Sequence, residues 1–298
     1  MAGRLRIFRS LTFLAMLGFW ALPAFSAPLA AGDLLVVTSP NNNSSVTIPN
    51  VYHLDPTGAF QGFFFSPFSP SDIAVDHSGN VLFASPNSGT IVETNTSGAF
   101  LGFIPTPVTN INGLAVAANG DLIVNNGSTF YQLDPHGNFL SLTFSPVQVG
   151  NGNFGQSAGI GAQGDNVAVF PTAGSGGFPS NEDIAFLDLT TGALTRVHTT
   201  LGSIFSVDVS ENGDIFAIGS QQFFGSPSTI FQLDSTGAVL GQIGGPQNAI
   251  GLAVANLPEP GTAVLMGLGL SMLSLRGRRD TRWARGFKGA GRPGAKFA

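Results

Sequence analysis

In 298 residues the chain carries 12 Lys and Arg against 17 Asp and Glu, with no cysteine and a formal net charge of −5. The missing thiols exclude disulfides and thiolate metal centres. Three of the basic residues precede residue 10, eight follow residue 275, and only Arg196 lies between Ala27 and Leu257. That middle segment keeps fifteen acids, so one base against fifteen acids leaves it at −14. Such a body lacks the clustered Lys and Arg that release phosphate counterions, which excludes nucleic acid as a partner.

The N-terminus has the three parts of a secretory signal. Arg4, Arg6 and Arg9 form a basic stub, an apolar run follows from Leu11 to Leu22, and Pro23 breaks it. Ala24 and Ser26 then place small residues where a signal peptidase reads, so cleavage is expected between Ser26 and Ala27. The run falls short of the ~20 apolar residues of a spanning helix, with an uncleaved anchor as the alternative. The expected partners are the Sec machinery and signal peptidase.

From residue 27 to 256 the chain repeats. One signature ends in a tight turn: Tyr52-His-Leu-Asp-Pro-Thr-Gly58, Val92 to Gly98, Tyr131 to Gly137, Phe186 to Gly192 and Phe231 to Gly237. A second precedes each: Gly32-Asp33, Gly79-Asn80, Gly120-Asp121, Gly164-Asp165 and Gly213-Asp214, each followed by an apolar run. The turn glycines recur every 39 to 55 residues, the period of a propeller blade. In the second unit the residue types predict strands over 73–75, 81–84, 90–93 and 100–104. Asn, Asp, Ser and Gly fill the turns, where φ > 0 is tolerated. No stretch of the body has helical periodicity.

The first unit begins at its second strand, 34–38, and the last segment, 250–254, is a lone first strand. Together they complete one blade, so the expected fold is all-β: a propeller of five four-stranded blades closed by the C-terminal strand. An open or sandwich-like all-β array is the competing arrangement. The segments Asp72-Ile-Ala-Val-Asp76 and Gly113-Leu-Ala-Val116 resemble the first strands of NHL-type and streptogramin-lyase-like propellers. The Asn-x-Arg-Ile feature of NHL repeats is absent; Ser88-Gly-Thr-Ile91 and Ser228-Thr-Ile230 stand in its place.

Aligned on the turn glycine, the first strands put Ala74, Ala115, Gly159 and Asp208 at one position, with Ala253 beside them by context. Small residues suit the crowded axis, and Asp208 breaks the pattern. Either its carboxylate binds backbone amides or it is a ligand group. Asp72, Asn112 and Asn248 each stand just before a first strand. These three resemble the Glu/Asn/Asp cluster with which lactonases of the propeller class hold a divalent ion at the channel mouth, which would imply Ca²⁺ or Mg²⁺ on oxygen ligands; otherwise no cofactor is expected. His53, His77, His136 and His198 are scattered over four units and no catalytic residue is assigned. Gly174 to Gly177 is expected as a loop insertion, and Asp55, Asp134 and Asp234 as Asx-turn residues.

Beyond the body, residues 257–279 hold a second sorting pattern, followed by a basic tail at 280–298 expected to be disordered. Pro258, Glu259 and Pro260 form a stiff stretch. Thr262 to Leu275 is apolar or small, and Arg276, Arg278 and Arg279 follow. Arginines flanking an apolar segment imply that this end stays inside. Pro-Glu-Pro, apolar segment and arginine cluster in that order resemble the PEP-CTERM sorting signal. The resemblance implies export by a Gram-negative, exopolysaccharide-making bacterium, a transient membrane segment, and processing near Pro258 by an exosortase. The expected protein is therefore an exported, non-catalytic propeller of the envelope or exopolysaccharide matrix, binding polysaccharide or a surface protein. A metal-dependent lactonase or lyase is the alternative.

Overall fold

The structure, a computed structural model, describes residues 27–38, 51–64, 66, 68–86, 88–147, 149, 159–172, 183–220 and 227–257. Ser26, Pro258, Glu259, Pro260, Arg276, Arg278, Arg279 and the 174–177 segment lie outside the described residues. Among the described residues no helix is long and apolar enough to cross a membrane.

Among the described residues twenty strands form five four-stranded antiparallel sheets. In chain order they begin with β1 (Leu34–Thr38), β2 (Val51–Leu54) and β3 (Phe60–Phe64). Blade 2 is β4 (Asp72–Val75), β5 (Val81–Ala84), β6 (Thr90–Thr94) and β7 (Phe100–Pro105). Blade 3 is β8 (Gly113–Val116), β9 (Leu122–Asn126), β10 (Thr129–Leu133) and β11 (Phe139–Phe144). Blade 4 is β12 (Gly161–Gln163), β13 (Val167–Pro171), β14 (Asp183–Asp188) and β15 (Leu194–His198). Blade 5 is β16 (Ser203–Val209), β17 (Ile215–Ser220), β18 (Pro227–Leu233) and β19 (Val239–Gln247). The last strand, β20 (Ala249–Val254), pairs antiparallel with β1, Leu34 opposite Val254, and so completes blade 1. The five-bladed propeller and its closure are as the repeats predict.

Each sheet is apolar on both faces, so each face needs a neighbouring blade. Successive residues of β1 go to opposite sides. Leu35 and Val37 pack with Ile73, Val75 and Phe83 of blade 2, while Leu34 and Val36 pack with Phe216, Ile218 and Ile230 of blade 5. Three further clusters fill the junctions of blades 2 and 3, 3 and 4, and 4 and 5. Between blades 3 and 4, Phe130 and Phe170 meet at 4.9 Å between ring centroids. At roughly 1.5–3 kcal/mol for each fully buried large side chain, these five seams are the main stabilising term.

The two repeat signatures meet in space. The residue after the glycine of one bonds the third-strand residue two before the Asx-turn Asp or Asn of the other. His53 Nε2 lies 2.7 Å from Asp33 Oδ2. Asn80 Nδ2 donates to Glu93 at 2.8 Å, Gln132 Nε2 to Asp121 at 3.1 Å, and Gln232 Nε2 to Asp214 at 2.9 Å. Blade 4 has Leu187 at the matching register and lacks this clasp.

Blade 4 also corrects the expected alignment. Gln163 pairs with Val167, leaving three turn residues, whereas Val75 pairs with Val81 across five. The residue equivalent to Ala74 is therefore Ala162, opposite Ala168, and not Gly159. Aligning on the turn glycine failed because Gly164 stands first in its three-residue turn, whereas Gly79 stands fourth in its five-residue turn.

The third-to-fourth strand turns carry glycines at positive φ. At Gly137 (φ +85°) an added Cβ would collide with the carbonyl oxygen of Pro105 in blade 2, whereas at Gly192 (φ +72°) nothing lies within 4 Å. Gly137→Ala is expected to cost about 3 kcal/mol from left-handed strain plus overpacking, and Gly192→Ala about 1 kcal/mol from strain alone. Denaturant unfolding of the two variants checks the difference.

Candidate functional site

The inner strands β20, β4, β8, β12 and β16 meet one another around the axis. They approach closely enough for direct backbone bonding between blades: Gly159 N donates to Phe205 O at 3.2 Å and Val207 N to Gly159 O at 3.3 Å. Two carboxyls stand among them.

Asp72 is fully buried in β4. Its Oδ2 accepts the N–H of Leu114 in blade 3 at 2.8 Å and of Ile160, just before β12, at 3.1 Å. One side chain thus holds three blades together. Its Oδ1 has no hydrogen-bond partner among the described residues. A Cβ on Gly159 would come within 2.6 Å of that oxygen, and one on Gly251 within 3.3 Å, so glycine at both positions makes room for the carboxyl. Asp208 in β16 accepts from Val254 N of the closing strand at 2.7 Å and from Val209 N at 2.8 Å. A hydroxyl does the same work nearby: Ser206 Oγ accepts from Leu252 N at 3.0 Å.

Burial pushes the Asp72 carboxyl well above the usual carboxylate range, against the pull of its backbone donors, with the nearby Asp208 charge adding to the rise. Burial likewise pushes Asp208 up, to about 7. The cause is desolvation without a compensating cation. Arg196, the lone base of the body, is on β15 and lies 4.0 Å from Asp183.

The other sequence candidates are placed as follows. Asn112 directly precedes β8, where its backbone N–H bonds Asn125 O at 2.8 Å. Asn248 lies between β19 and β20 at φ 55°, buried. Asp72 and Asp208 come close enough to interact, Asp72 spending one oxygen and Asp208 both on backbone amides. Among the described residues no three of His, Cys, Asp and Glu group as metal ligands. Asp55, Asp134 and Asp234 each accept the N–H groups two and four residues on, the Asx turns expected of them.

The histidines stay apart. His77 Nε2 lies 3.0 Å from Ala117 O, and His198 Nδ1 lies 2.7 Å from Asp183. The buried His53–Asp33 pair is not expected from the sequence. Asp33 Oδ2 also accepts from Ala30 N at 2.8 Å, which ties the segment after the expected cleavage point to blade 1. The signal was present in the parallel pairs Asp121 with Gln132 and Asp214 with Gln232. Between blades 2 and 3 a cleft of about 370 Å³ is lined by Asp76, Glu93 and His136 over Leu82, Phe103 and Leu122.

No protein-family model and no curated protein matches the chain. Among solved structures, the chain is similar to a protein of unknown function from Bacteroides caccae at 15% identity, with 75% of this chain and 98% of that one covered and a TM-score of 0.42. It is also similar to a streptogramin B lyase at 20% identity (75% and 72% covered, TM-score 0.40). A third is virginiamycin B lyase from Staphylococcus aureus at 14% identity (73% and 72% covered, TM-score 0.40). Likenesses this distant say nothing about this chain's chemistry.

The axial carboxyls set the direction of a pH dependence. A raised folded-state pKa favours the protonated form, so the stabilisation is complete below the ordinary value of 3.8 and is lost as pH rises through about 7 for Asp208. The unfolding free energy is expected to fall between those limits, and Asp208→Asn to flatten the fall. The difference is on the order of 2 kcal/mol, below the fully desolvated value because half-buried Asp208 is partly screened by solvent. The exposed turn carboxylates Asp55 and Asp234 are held below the usual range by hydrogen bonds from their own turns. Their contribution runs the other way and is lost as pH falls. Denaturant titrations of wild type and Asp208→Asn across this range check the sign.

Proposed function

We propose that the chain is an exported, non-catalytic β-propeller that serves as a binding or scaffold component of the bacterial envelope or exopolysaccharide matrix, sorted through its PEP-CTERM-like C-terminus. The carrying observation is the use made of the axis. One oxygen of Asp72 and one of Asp208 accept backbone N–H groups from neighbouring blades, so the two side chains tie the ring together. The two terminal patterns supply the address, and the acidic body suits cation-bridged polysaccharide or a protein partner. Loops at the ends of the blades would bind it.

One observation favours the second reading, a divalent-metal-dependent lactonase or lyase. Asp72 Oδ1 is buried without a partner, and an oxygen-only site with Asp208, Asn112 or Asn248 would suit Ca²⁺ or Mg²⁺. A resident ion would offset the carboxylate charge that the axis otherwise leaves uncompensated.

Mass spectrometry of the exported protein is expected to find an N-terminus at Ala27 and a C-terminus near Pro258. Isoelectric focusing is expected to show a more acidic species, since eleven of the 12 Lys and Arg lie in the segments removed. A soluble cytoplasmic protein retaining residues 1–26 would sink the proposal. Thermal unfolding separates the two readings: no change in midpoint with millimolar Ca²⁺ or Mg²⁺ is expected, whereas a rise that Asp72→Asn abolishes would favour the metal site.

A further inference from the structure

The hydrogen bonds that join inner strands of different blades run as an open chain. Asp72 of blade 2 takes the N–H of Leu114 in blade 3 and of Ile160 at the entrance to blade 4. Gly159, also at that entrance, is bonded to Phe205 and Val207 of blade 5. Ser206 and Asp208 of blade 5 take the N–H of Leu252 and Val254 in blade 1. The blades are thus linked in the order 3, 2, 4, 5, 1. Between described residues of the inner strands no bond returns from blade 1 or 5 to blade 2. At that break stands one unpaired oxygen. Asp72 Oδ1 is buried and has no partner among the described residues. It lies 3.3 Å from where a Cβ of Gly251 in blade 1 would stand. A Cβ on Gly159 would collide with both this oxygen and Ser206 Oγ, so the two oxygens share one side of Gly159. Ser206 Oγ accepts from Leu252 N, and no described group accepts its hydrogen.

We infer that the axis binds one buried water, held between Asp72 Oδ1 and Ser206 Oγ beside Gly251, which closes the chain of bonds into a ring. A polar atom left unpaired in the interior is costly, so such atoms are paired with protein or with ordered water. Two polar partners are enough to hold a water inside a protein. The chemistry of Asp72 chooses water over a cation. Its Oδ2 already accepts two N–H groups, so a proton on this carboxyl sits on Oδ1. Oδ1 is then a donor, whereas in the ionised form it is an acceptor. Water serves both forms, accepting from the acid and donating to the carboxylate. A metal ion serves only the carboxylate, the form that burial disfavours here. A divalent ion such as Ca²⁺ also takes about six to eight oxygen ligands, and among the described residues no three acids or histidines group to hold one. The site depends neither on export nor on what the ring binds.

A crystal structure of the full chain at about 1.5 Å resolution tests this directly. One density peak is expected at about 2.6–3.2 Å from both Asp72 Oδ1 and Ser206 Oγ. Asp72→Asn is expected to keep the peak, since water also accepts from an amide, whereas the substitution would remove a cation. No peak, or a peak ringed by six or more oxygens at about 2.0–2.6 Å, would overturn the inference. Thermal unfolding supplies a second measurement. Gly251→Ala sets a methyl against Oδ1 and is expected to lower the midpoint by about 5 °C. Gly251→Ser offers a hydroxyl in place of the water and is expected to recover at least half of that loss. A serine variant no more stable than the alanine variant would also overturn the inference. If neither variant folds, the density at Asp72 in the wild-type protein decides.

Discussion

The pairing of β20 with β1 joins residues 249–254 to residues 34–38, and the ring depends on it. A blade with two apolar faces is stable only between two neighbours. Without closure, blades 1 and 5 would each expose the face that now buries Leu34, Val36, Ile218 and Leu252. Joining distant segments costs chain entropy, but that cost grows only slowly with loop length. Closure therefore gains the fifth seam for little more than a shorter loop would cost.

Closure also explains the chemistry of the axis. Five inner strands converge so tightly that Gly159 bonds β16 directly, and the backbone amides that face inward lose access to water. They need acceptors. Asp72, Asp208 and Ser206 supply them, reaching from one blade to the amides of another. The penalty is one buried and one half-buried carboxyl in a body with a single arginine, and their pKa values rise accordingly. The protonated form is the neutral solution available to a chain with no lysine between its ends. This makes the centre of the molecule sensitive to pH in the direction opposite to its surface turns.

Farther out, the same repeat solves a different problem. The Asp or Asn after each first turn must be satisfied as the second strand begins, and the third strand passes beside it. His53, Glu93, Gln132 and Gln232 meet that need in four blades. Blade 4 does without the clasp and has a shorter first turn. It also carries the one basic residue of the body, on the one outer strand that is charged. The uncharged rim is therefore concentrated on blades 1, 2, 3 and 5, so the ring is not equivalent from every side.

The linear sequence determined the blade number, the strands and the closure, because these depend on local events: a turn every few residues, apolar runs between turns, and a first unit without a first strand matched by a lone first strand after the last unit. It also marked Asp208, which stands among alanines, and the Asx turns, whose bonds reach only four residues along the chain. It misplaced blade 4 by three residues because a turn glycine fixes conformation without fixing its place in the turn: Gly79 is fourth of five turn residues and Gly164 first of three. Only the tertiary structure decided that Asp72 lies buried on the axis, that its partners come from residues 114 and 160, and that Asp33 meets His53. Those contacts join residues 20 to 88 positions apart, and which pairs meet is set by the curvature of the closed ring.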